Sequence, residues 1–174
     1  MAGLTQTRVS RIEQAQGAAA RLDELVALGA VLGLRISVRA YPEGSPARDA
    51  AQLRLIERFR PRVGPIFSLR TEVPIGRYGD LRAWDVQLDG PASVGIDAET
   101  RLHDVQSLQR RLETKGRDSG VDRVVLLVAR SRHNAQILRF HREALASTLP
   151  ADTREIMAAL RAGRAPRRNG VVVL

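Results

Sequence analysis

A run of six apolar residues, VVLLVA at 124–129, is the feature that most constrains the fold. A strand that is apolar on both faces needs cover on both faces, which is typical of central strands in α/β proteins. The segment before it, 101–115, has the period of a helix, with an apolar stripe formed by Leu102, Val105, Leu108 and Leu112. An apolar strand that follows an amphipathic helix predicts an α/β fold, with helices packed on a sheet.

Two segments of alternating polarity precede that helix. With a period of two, Trp84, Val86 and Leu88 share one face of the earlier segment and Asp85 lies on the other. The later segment separates two acids from three apolar residues, with Asp97 and Glu99 on one face and Val94, Ile96 and Ala98 on the other. A third strand is predicted at 66–74, and an earlier helix at 47–60 with Ala51, Leu53, Leu55, Ile56 and Phe59 on its apolar side.

Three acids, Asp85, Asp97 and Glu99, would meet if the two alternating strands are neighbours. Carboxylates crowded together repel one another unless a hard cation such as Mg²⁺ neutralises them. Cleavage of phosphodiester bonds uses such an ion. The alternative is a set of solvated strand acids with no chemical role.

These acids and their spacing resemble the PD-(D/E)xK nuclease superfamily, which has the restriction-endonuclease-like fold. The resemblance covers residues 47–130 in the order helix, three strands, helix, strand. In that family an Asp ends the second strand, a Glu or Asp lies in the third, and a Lys follows two residues later. Asp85 and Asp97 match the two acids, so the resemblance implies an αβββαβ core in which both of them bind Mg²⁺.

Glu99 stands where the family has its Lys. A frame shifted to Glu99-Thr100-Arg101 puts Arg101 in that place, and some restriction enzymes of the superfamily carry Glu there. The only lysine, Lys115, lies at the end of the next helix and is not expected to be the motif residue. The resemblance further implies site roles for helix residues Gln106, pointing to the active centre, and Arg110, touching a phosphate oxygen. The implied catalytic set is then Asp85, Asp97, Glu99 and Gln106.

Composition indicates the class of partner. The 174 residues include 28 Lys and Arg against 19 Asp and Glu, for a net charge of +9, and all but one of the cations are arginine. Arginine binds phosphate with two parallel hydrogen bonds, so nucleic acid is the leading partner class. A GC-rich coding sequence would explain the same bias. Four arginines without an intervening acid, Arg161, Arg164, Arg167 and Arg168, are expected to grip a DNA backbone or to form a disordered hinge before VVVL.

Several other classes are excluded by what the sequence lacks. It has no cysteine, and therefore no disulfide or thiolate metal site. No apolar run approaches the length of a membrane span and no signal-peptide pattern is visible, so a cytoplasmic protein is expected. The absence of a Gly-rich phosphate loop and of a Ser-His-Asp order argues against nucleotide-dependent enzymes and serine hydrolases.

The first forty residues predict a separate helical module. The run LTQTRVSRIEQ resembles the recognition helix of lambda-repressor-like (Cro/repressor type) helix-turn-helix domains, in which a Thr/Ser-Gln pair opens the helix and Val-Ser-Arg-Ile-Glu completes it. The resemblance implies that Gln6, Thr7, Arg8 and Arg11 face the major groove. The two helices that precede this one in the family are missing, so the module is expected to be a truncated form. The alternative is a helical hairpin that serves packing or dimerisation.

These patterns predict an α/β protein with a restriction-endonuclease-like αβββαβ core and an N-terminal all-α truncated helix-turn-helix module. The expected boundaries are 1–40 for the module, 41–46 for a linker and 47–174 for the nuclease-like domain. The expected function is DNA binding by a transcriptional regulator or DNA-defence component, acting on double-stranded DNA as a homodimer. Because the motif Lys is missing, binding is favoured over the alternative, a Mg²⁺-dependent DNA endonuclease.

Overall fold

The computed structural model describes residues 5–14, 20–34, 36, 46–76 and 80–174. The chain divides into two compact units, Met1–Glu43 and Gly44–Leu174. The alternating run LRISVRAY at 34–41 predicts a strand and RYGD at 77–80 predicts a turn, and most of both segments lies outside the described residues. No helix in the described ranges is long and apolar enough to cross a membrane.

The described residues of the first unit form two helices, α1 (Gln6–Glu13) and α2 (Leu22–Val31). The Thr5 hydroxyl caps α1 by accepting a hydrogen bond from the backbone N–H of Arg8 at 3.4 Å. The Arg8 guanidinium reaches α2 and donates to both carboxylate oxygens of Glu24, at 2.8 and 2.6 Å. A two-point ion pair therefore joins the two helices.

The second unit is a mixed α/β domain. It opens with α3 (Pro46–Phe59) and a 3₁₀ turn (Arg60–Arg62), followed by β1 (Ser68–Pro74), β2 (Ala83–Asp89), β3 (Val94–Glu99), α4 (Val105–Ser119) and β4 (Arg123–Val128). It closes with α5 (Arg132–Phe140), α6 (Arg142–Thr148), α7 (Thr153–Arg161) and β5 (Gly170–Val173). The predicted α/β class is confirmed, and the elements from α3 to β4 follow the predicted order.

The five strands form one sheet in the order β1-β2-β3-β4-β5. The pairs β1–β2 and β2–β3 are antiparallel, while β4 runs parallel to both β3 and β5. Val124 to Val128 are at most 6 % exposed, so the prediction of a central strand covered on both faces is confirmed. VVVL supplies the strand β5, and the arginine segment before it is not a disordered hinge, because Arg168 pairs with Glu155 at 2.6 Å.

Two apolar clusters cover the sheet, one on each face. The α3-side cluster joins α3 and α7 to the sheet and includes Leu55, Ile56, Phe59, Val86, Leu88, Ile96, Leu127, Ile156 and Leu160. The α4-side cluster joins α4 and α6 to the other face and includes Trp84, Leu102, Leu108, Leu112, Leu126, Val128 and Leu145. Helices thus lie on both faces of the sheet, with the site-bearing strands β2 and β3 between them.

The prediction that Trp84 shares a face with Val86 and Leu88 is wrong. Trp84 packs in the α4-side cluster, whereas Val86 and Leu88 pack in the α3-side cluster. The paired registers between β2 and β3 run only from Val86 to Leu88. At the next residue, the Asp85 side chain accepts the backbone N–H of Ala98 at 2.6 Å. This side-chain bond replaces the regular ladder, and the alternation of faces breaks there.

Gly95 makes room for the displaced indole. A Cβ added at Gly95 would lie 2.3 Å from the Trp84 ring, so only glycine lets the indole lie against β3. The helix prediction at 47–60 also needs one correction, because Leu53 is 60 % exposed. The stripe of α3 that faces the sheet contains Leu55, Ile56 and Phe59.

One buried amide ties the loops that follow β3 and β4. Asn134, in the first turn of α5, is 0 % exposed. Its Oδ1 accepts from the Leu102 N–H at 2.9 Å, and its Nδ2 donates to the carbonyls of Thr100 at 3.0 Å and Ala129 at 2.7 Å. All polar atoms of the side chain are therefore used, and the carboxyl-terminal ends of the two parallel strands are held together.

We expect Asn134→Ala to destabilise the domain by about 3 kcal/mol, because it leaves three buried backbone groups without partners. The matched control is Gln136→Ala, which removes an exposed amide from the same helix and should change stability by less than about 0.5 kcal/mol. Urea unfolding followed by circular dichroism measures both. Equal midpoints for the two variants would contradict this role of Asn134.

Candidate functional site

The three predicted acids line one cavity of about 260 Å³ beside β2 and β3. The cavity is lined by Gln52, Asp85, Asp97, Ala98, Glu99, Thr100, Arg111 and Lys115. The strands deliver the acids, α3 delivers Gln52, and α4 delivers Arg111 and Lys115. The structure therefore brings Asp85, Asp97 and Glu99 together as predicted, and adds two cations and an amide.

The most consequential addition is Lys115, which was not expected to be the motif residue. Its Nζ donates to Asp97 Oδ1 and to the carbonyl oxygen of Ala83, each at 2.7 Å. The side chains of Lys115 and Asp97 are 9 % and 3 % exposed, so this is a buried ion pair. The ammonium also lies 5.2 Å from the centre of the Trp84 ring, within cation–π range. Lys115 was not expected to be the motif residue, yet its ammonium lies beside the acids.

Helix geometry explains how Lys115 reaches the acids. Leu108, Leu112 and Lys115 follow the i, i+4, i+7 spacing of one helix face, and the two leucines are buried against the sheet. Lys115 continues that apolar face with a cation and so points at the strand acids. A single lysine on the buried stripe of a chain whose other cations are arginine is the signal that could have revealed it.

Arg111 is the second cation of the cavity. Its guanidinium donates to Asp97 Oδ2 at 3.3 Å and to Glu99 Oε1 at 2.5 Å. Both Asp97 oxygens therefore accept from cations, since Lys115 holds the other one. Glu99, at the position where the resemblance would have a Lys, binds an arginine instead of supplying a positive charge.

Gln106 and Arg110 do not line the cavity, and both are exposed. The helix was predicted from residue 101, but α4 begins at Val105, so Leu102 does not belong to the helix. Arg110 lies about 200° around the helix from Leu108, on the face away from the sheet. Arg111, the next residue, takes the position expected for Arg110.

Asp85 occupies the point where β2 and β3 separate. Its Oδ2 accepts two hydrogen bonds, from the Ala98 N–H at 2.6 Å and from Gln52 Nε2 at 2.7 Å. Burial, together with the charge of nearby Asp97, raises the pKa of the Asp85 carboxyl from 3.8 to about 6. The ionised form is thus disfavoured in this cavity. A cation beside the carboxylate would stabilise that form.

Gln52 also lines the cavity, although no sequence pattern predicted it as a site residue. Its Nε2 donates both to Asp85 Oδ2 and, at 3.1 Å, to the carbonyl oxygen of Ala98. Gln52 lies three and seven residues before Leu55 and Phe59, so it extends the buried stripe of α3 with a polar group. A glutamine in line with a buried stripe was the signal for it.

The donor set of the cavity fits a hard cation. Asp85 Oδ2 and the Ala98 carbonyl oxygen both lie within hydrogen-bond distance of one atom, so they converge on a single point. Mg²⁺ prefers such oxygens, and proteins often hold it by one or two carboxylates while substrate and water complete its coordination. Within the described part of the chain, no group of three or more acidic, cysteine or histidine side chains is placed to hold a metal ion.

The charge balance of the cavity also favours a bound cation. With Asp85 ionised, three carboxylates face two cationic side chains, which leaves a net charge of −1.

Comparison with known proteins adds no family to these observations. No protein-family model, curated protein or solved structure matches the chain.

The expected base-reading residues lie on α1 in the first unit. Gln6, Thr7 and Arg11 are exposed, as a recognition helix requires. Arg8 is only partly exposed, because its guanidinium pairs with Glu24. Hydrogen bonds from Arg8 and from the Arg21 N–H lower the pKa of Glu24 to about 2. Arg8 is thus held in the helix pair, and the remaining three side chains are presented to solvent.

Substitution of the two aspartates should shift stability in opposite directions. Asp85→Asn keeps an oxygen acceptor for Ala98 and removes a disfavoured charge, so we expect stabilisation by about 1–2 kcal/mol at pH 7. Asp97→Asn leaves the Lys115 ammonium buried without its counter-charge, so we expect destabilisation by about 3 kcal/mol. Thermal unfolding in the presence of EDTA measures both, and a loss of stability in Asp85→Asn would contradict the assigned environment.

Asp85→Asn should also change how the stability of the domain depends on pH. Because the pKa of Asp85 rises from 3.8 to about 6 on folding, the folded protein holds this proton more tightly than the unfolded chain. Its contribution to stability is therefore greatest at low pH and is lost as the pH rises through that window. Asp85→Asn should remove this part of the pH dependence, which unfolding titrations between pH 4 and 7 would show.

Proposed function

We propose that the second unit hydrolyses phosphodiester bonds in DNA with the help of Mg²⁺, so that the protein is a metal-dependent endonuclease. The observation that carries the proposal is the position of Lys115, whose ammonium pairs with Asp97 in the cavity that also holds Asp85. Two acids and an amine are the group set that the superfamily resemblance requires. In this chain the amine comes from α4, while position 99 of β3 has a Glu.

Asp85 and the Ala98 carbonyl would hold the ion, with Asp97 beside them. A Mg²⁺ bound there would neutralise charge on the phosphate during attack by water and polarise the P–O bond that breaks. Binding requires the ionised form of Asp85, so the raised pKa of this carboxyl makes ion affinity increase with pH up to about 6. The ion affinity of an exposed acid of ordinary pKa would level off at a lower pH, because that acid would already be ionised.

Lys115 and Arg111 would stabilise the phosphate. An ammonium has three N–H donors, and the described hydrogen bonds of Lys115 use two of them. The third can donate to a phosphate oxygen as negative charge develops there. The Arg111 side chain is 46 % exposed and lines the cavity mouth, where its guanidinium can bind a second oxygen of the same group.

The surrounding charge suits a nucleic-acid backbone. The net charge of +9 attracts phosphate, and the exposed arginines of the tail, Arg161, Arg164 and Arg167, add contacts that carry no sequence information. We propose double-stranded DNA as the substrate and a homodimer as the active form, since a pair of sites would cut both strands.

Cleavage should depend on Asp85 and Lys115 but not on Arg110. Incubation of the full chain with supercoiled and linear duplex DNA in 5–10 mM Mg²⁺, about the usual range for a weakly bound ion, should nick or cut the DNA. Asp85→Asn should lose activity by about 100-fold or more although it folds more stably. Lys115→Met should lose about 100- to 1000-fold.

The matched control is Arg110→Met, which removes a cation from the exposed face of the same helix and should keep near-normal activity. Thermal unfolding of each variant separates loss of chemistry from loss of fold. Full activity in Asp85→Asn would contradict the proposal. So would the failure of the wild-type chain both to cleave DNA and to bind Mg²⁺ or Mn²⁺ in calorimetry.

A second candidate function, sequence-selective DNA binding without cleavage, is favoured by the exposed row Gln6, Thr7 and Arg11 on α1. The protein would then be a transcriptional regulator or a DNA-defence component. Gln suits adenine and Arg suits guanine in the major groove. Arg8, by contrast, would support the helix pair through Glu24.

Arg8 and Arg11 should therefore respond differently in DNA-binding assays. Arg11→Ala should weaken discrimination between preferred and random duplexes by about 1–3 kcal/mol while thermal stability is unchanged. Arg8→Ala and Glu24→Gln should weaken binding equally, because either change breaks the same ion pair. If Glu24→Gln binds normally while Arg8→Ala does not, Arg8 itself contacts DNA and the structural assignment fails. Site selection from random duplexes provides the measurement.

A further inference from the structure

The Gln52 amide spans two oxygens that would otherwise face each other. Nε2 donates one hydrogen to Asp85 Oδ2 at 2.7 Å and the other towards the Ala98 carbonyl at 3.1 Å. These are the two oxygens identified above as the holders of a cation. The NH₂ group, with its partial positive charge, thus takes the place between them that an ion would take.

A primary amide has an acceptor and a donor end of nearly the same shape. Rotation of the terminal amide by half a turn exchanges Nε2 for Oε1 and presents an oxygen instead of two N–H groups. With a cation between the three oxygens, that orientation is attractive. Without one, an amide oxygen facing Asp85 Oδ2 and a carbonyl would be repelled, so the donor orientation is favoured.

We propose that Gln52 is a third oxygen ligand for the ion and that its amide turns over when the ion binds. The proposal rests on the function proposed above, because it concerns the same cavity. It assigns to α3 a direct part in ion binding that the strand acids alone do not supply. Gln52 has two roles: its NH₂ group separates the Asp85 and Ala98 oxygens, and its carbonyl oxygen then coordinates the ion that replaces it.

Two other roles for Gln52 predict different behaviour. If the amide merely blocks the cavity, its removal should increase ion affinity. If it is only a structural support for Asp85, its replacement should lower thermal stability while ion affinity follows no pattern in the chemistry of the new side chain. A ligand role predicts that affinity follows the oxygen: highest with a carboxylate, intermediate with an amide, and lowest with a hydrocarbon.

The test compares Gln52→Glu and Gln52→Leu with the wild-type chain, with Mn²⁺ as the probe. In EDTA both variants should unfold at a lower temperature, Glu through repulsion with Asp85 and Leu through loss of two hydrogen bonds. Calorimetry should show Mn²⁺ affinity raised about tenfold by Gln52→Glu and lowered about tenfold by Gln52→Leu. Mn²⁺ should also restore the unfolding temperature of Gln52→Glu but not that of Gln52→Leu.

Gln109→Leu is the matched control. Gln109 also bridges two acceptors, the Ala144 carbonyl at 2.8 Å and the Thr148 hydroxyl at 3.5 Å, but on the outer side of α4 towards α6. Its loss should lower the unfolding temperature and leave Mn²⁺ affinity unchanged. An equal effect of Gln109→Leu and Gln52→Leu on affinity would overturn the ligand role.

The remaining outcomes separate this inference from the proposed function. Higher affinity in Gln52→Leu would show that the amide obstructs the ion, which overturns the inference and leaves an ion-binding nuclease site in place. Mn²⁺ binding by Gln52→Glu but not by the wild-type chain would support the position of residue 52 beside a cation site and overturn the Mg²⁺-dependent function. No Mn²⁺ binding by either protein would overturn both.

Discussion

The buried pair between Lys115 and Asp97 is the interaction on which the rest of the site depends. A buried ion pair adds little net stability, yet the loss of one partner is strongly unfavourable. It therefore fixes which turn of α4 faces the sheet more firmly than it stabilises the fold. Lys115 also donates to the Ala83 carbonyl, so the same ammonium joins α4 to both β2 and β3. With that turn fixed, Arg111 is placed above Asp97 and Glu99.

The acids of the cavity differ in how far their charge is compensated. Asp97 and Glu99 have cationic partners, whereas Asp85 depends on a backbone N–H and an amide. The lack of a paired cation is reflected in the raised pKa of Asp85. Groups with raised pKa values beside charged partners in a cavity are concentrated at functional sites. The local break in β2 turns the Asp85 side chain towards β3, where it accepts the Ala98 N–H in place of a regular backbone hydrogen bond.

Local patterns were sufficient to predict much of the fold. The apolar run of β4 identified the central strand, and alternation in β3 correctly placed Asp97 and Glu99 opposite Ile96. Patterns failed where tertiary contacts override local periodicity. Trp84 changes face because the ladder ends at Val86, and Gly95 accepts the ring. Lys115 and Gln52 were overlooked because they come from helices distant in sequence, and a search for an amine two residues after an acid cannot find a group supplied by another element.

The position of the indole has an optical consequence. Trp84 is the only tryptophan of the chain, its ring is fully buried, and the Lys115 ammonium lies 5.2 Å from its centre. Its Nε1 is a buried N–H for which the described part of the chain offers no hydrogen-bond acceptor. An excited indole shifts electron density across its rings, so a fixed cation on one face changes the energy of the emitted light. Every photon of tryptophan fluorescence from this protein therefore originates beside the carboxylate cavity, and its wavelength depends on where that single ammonium lies.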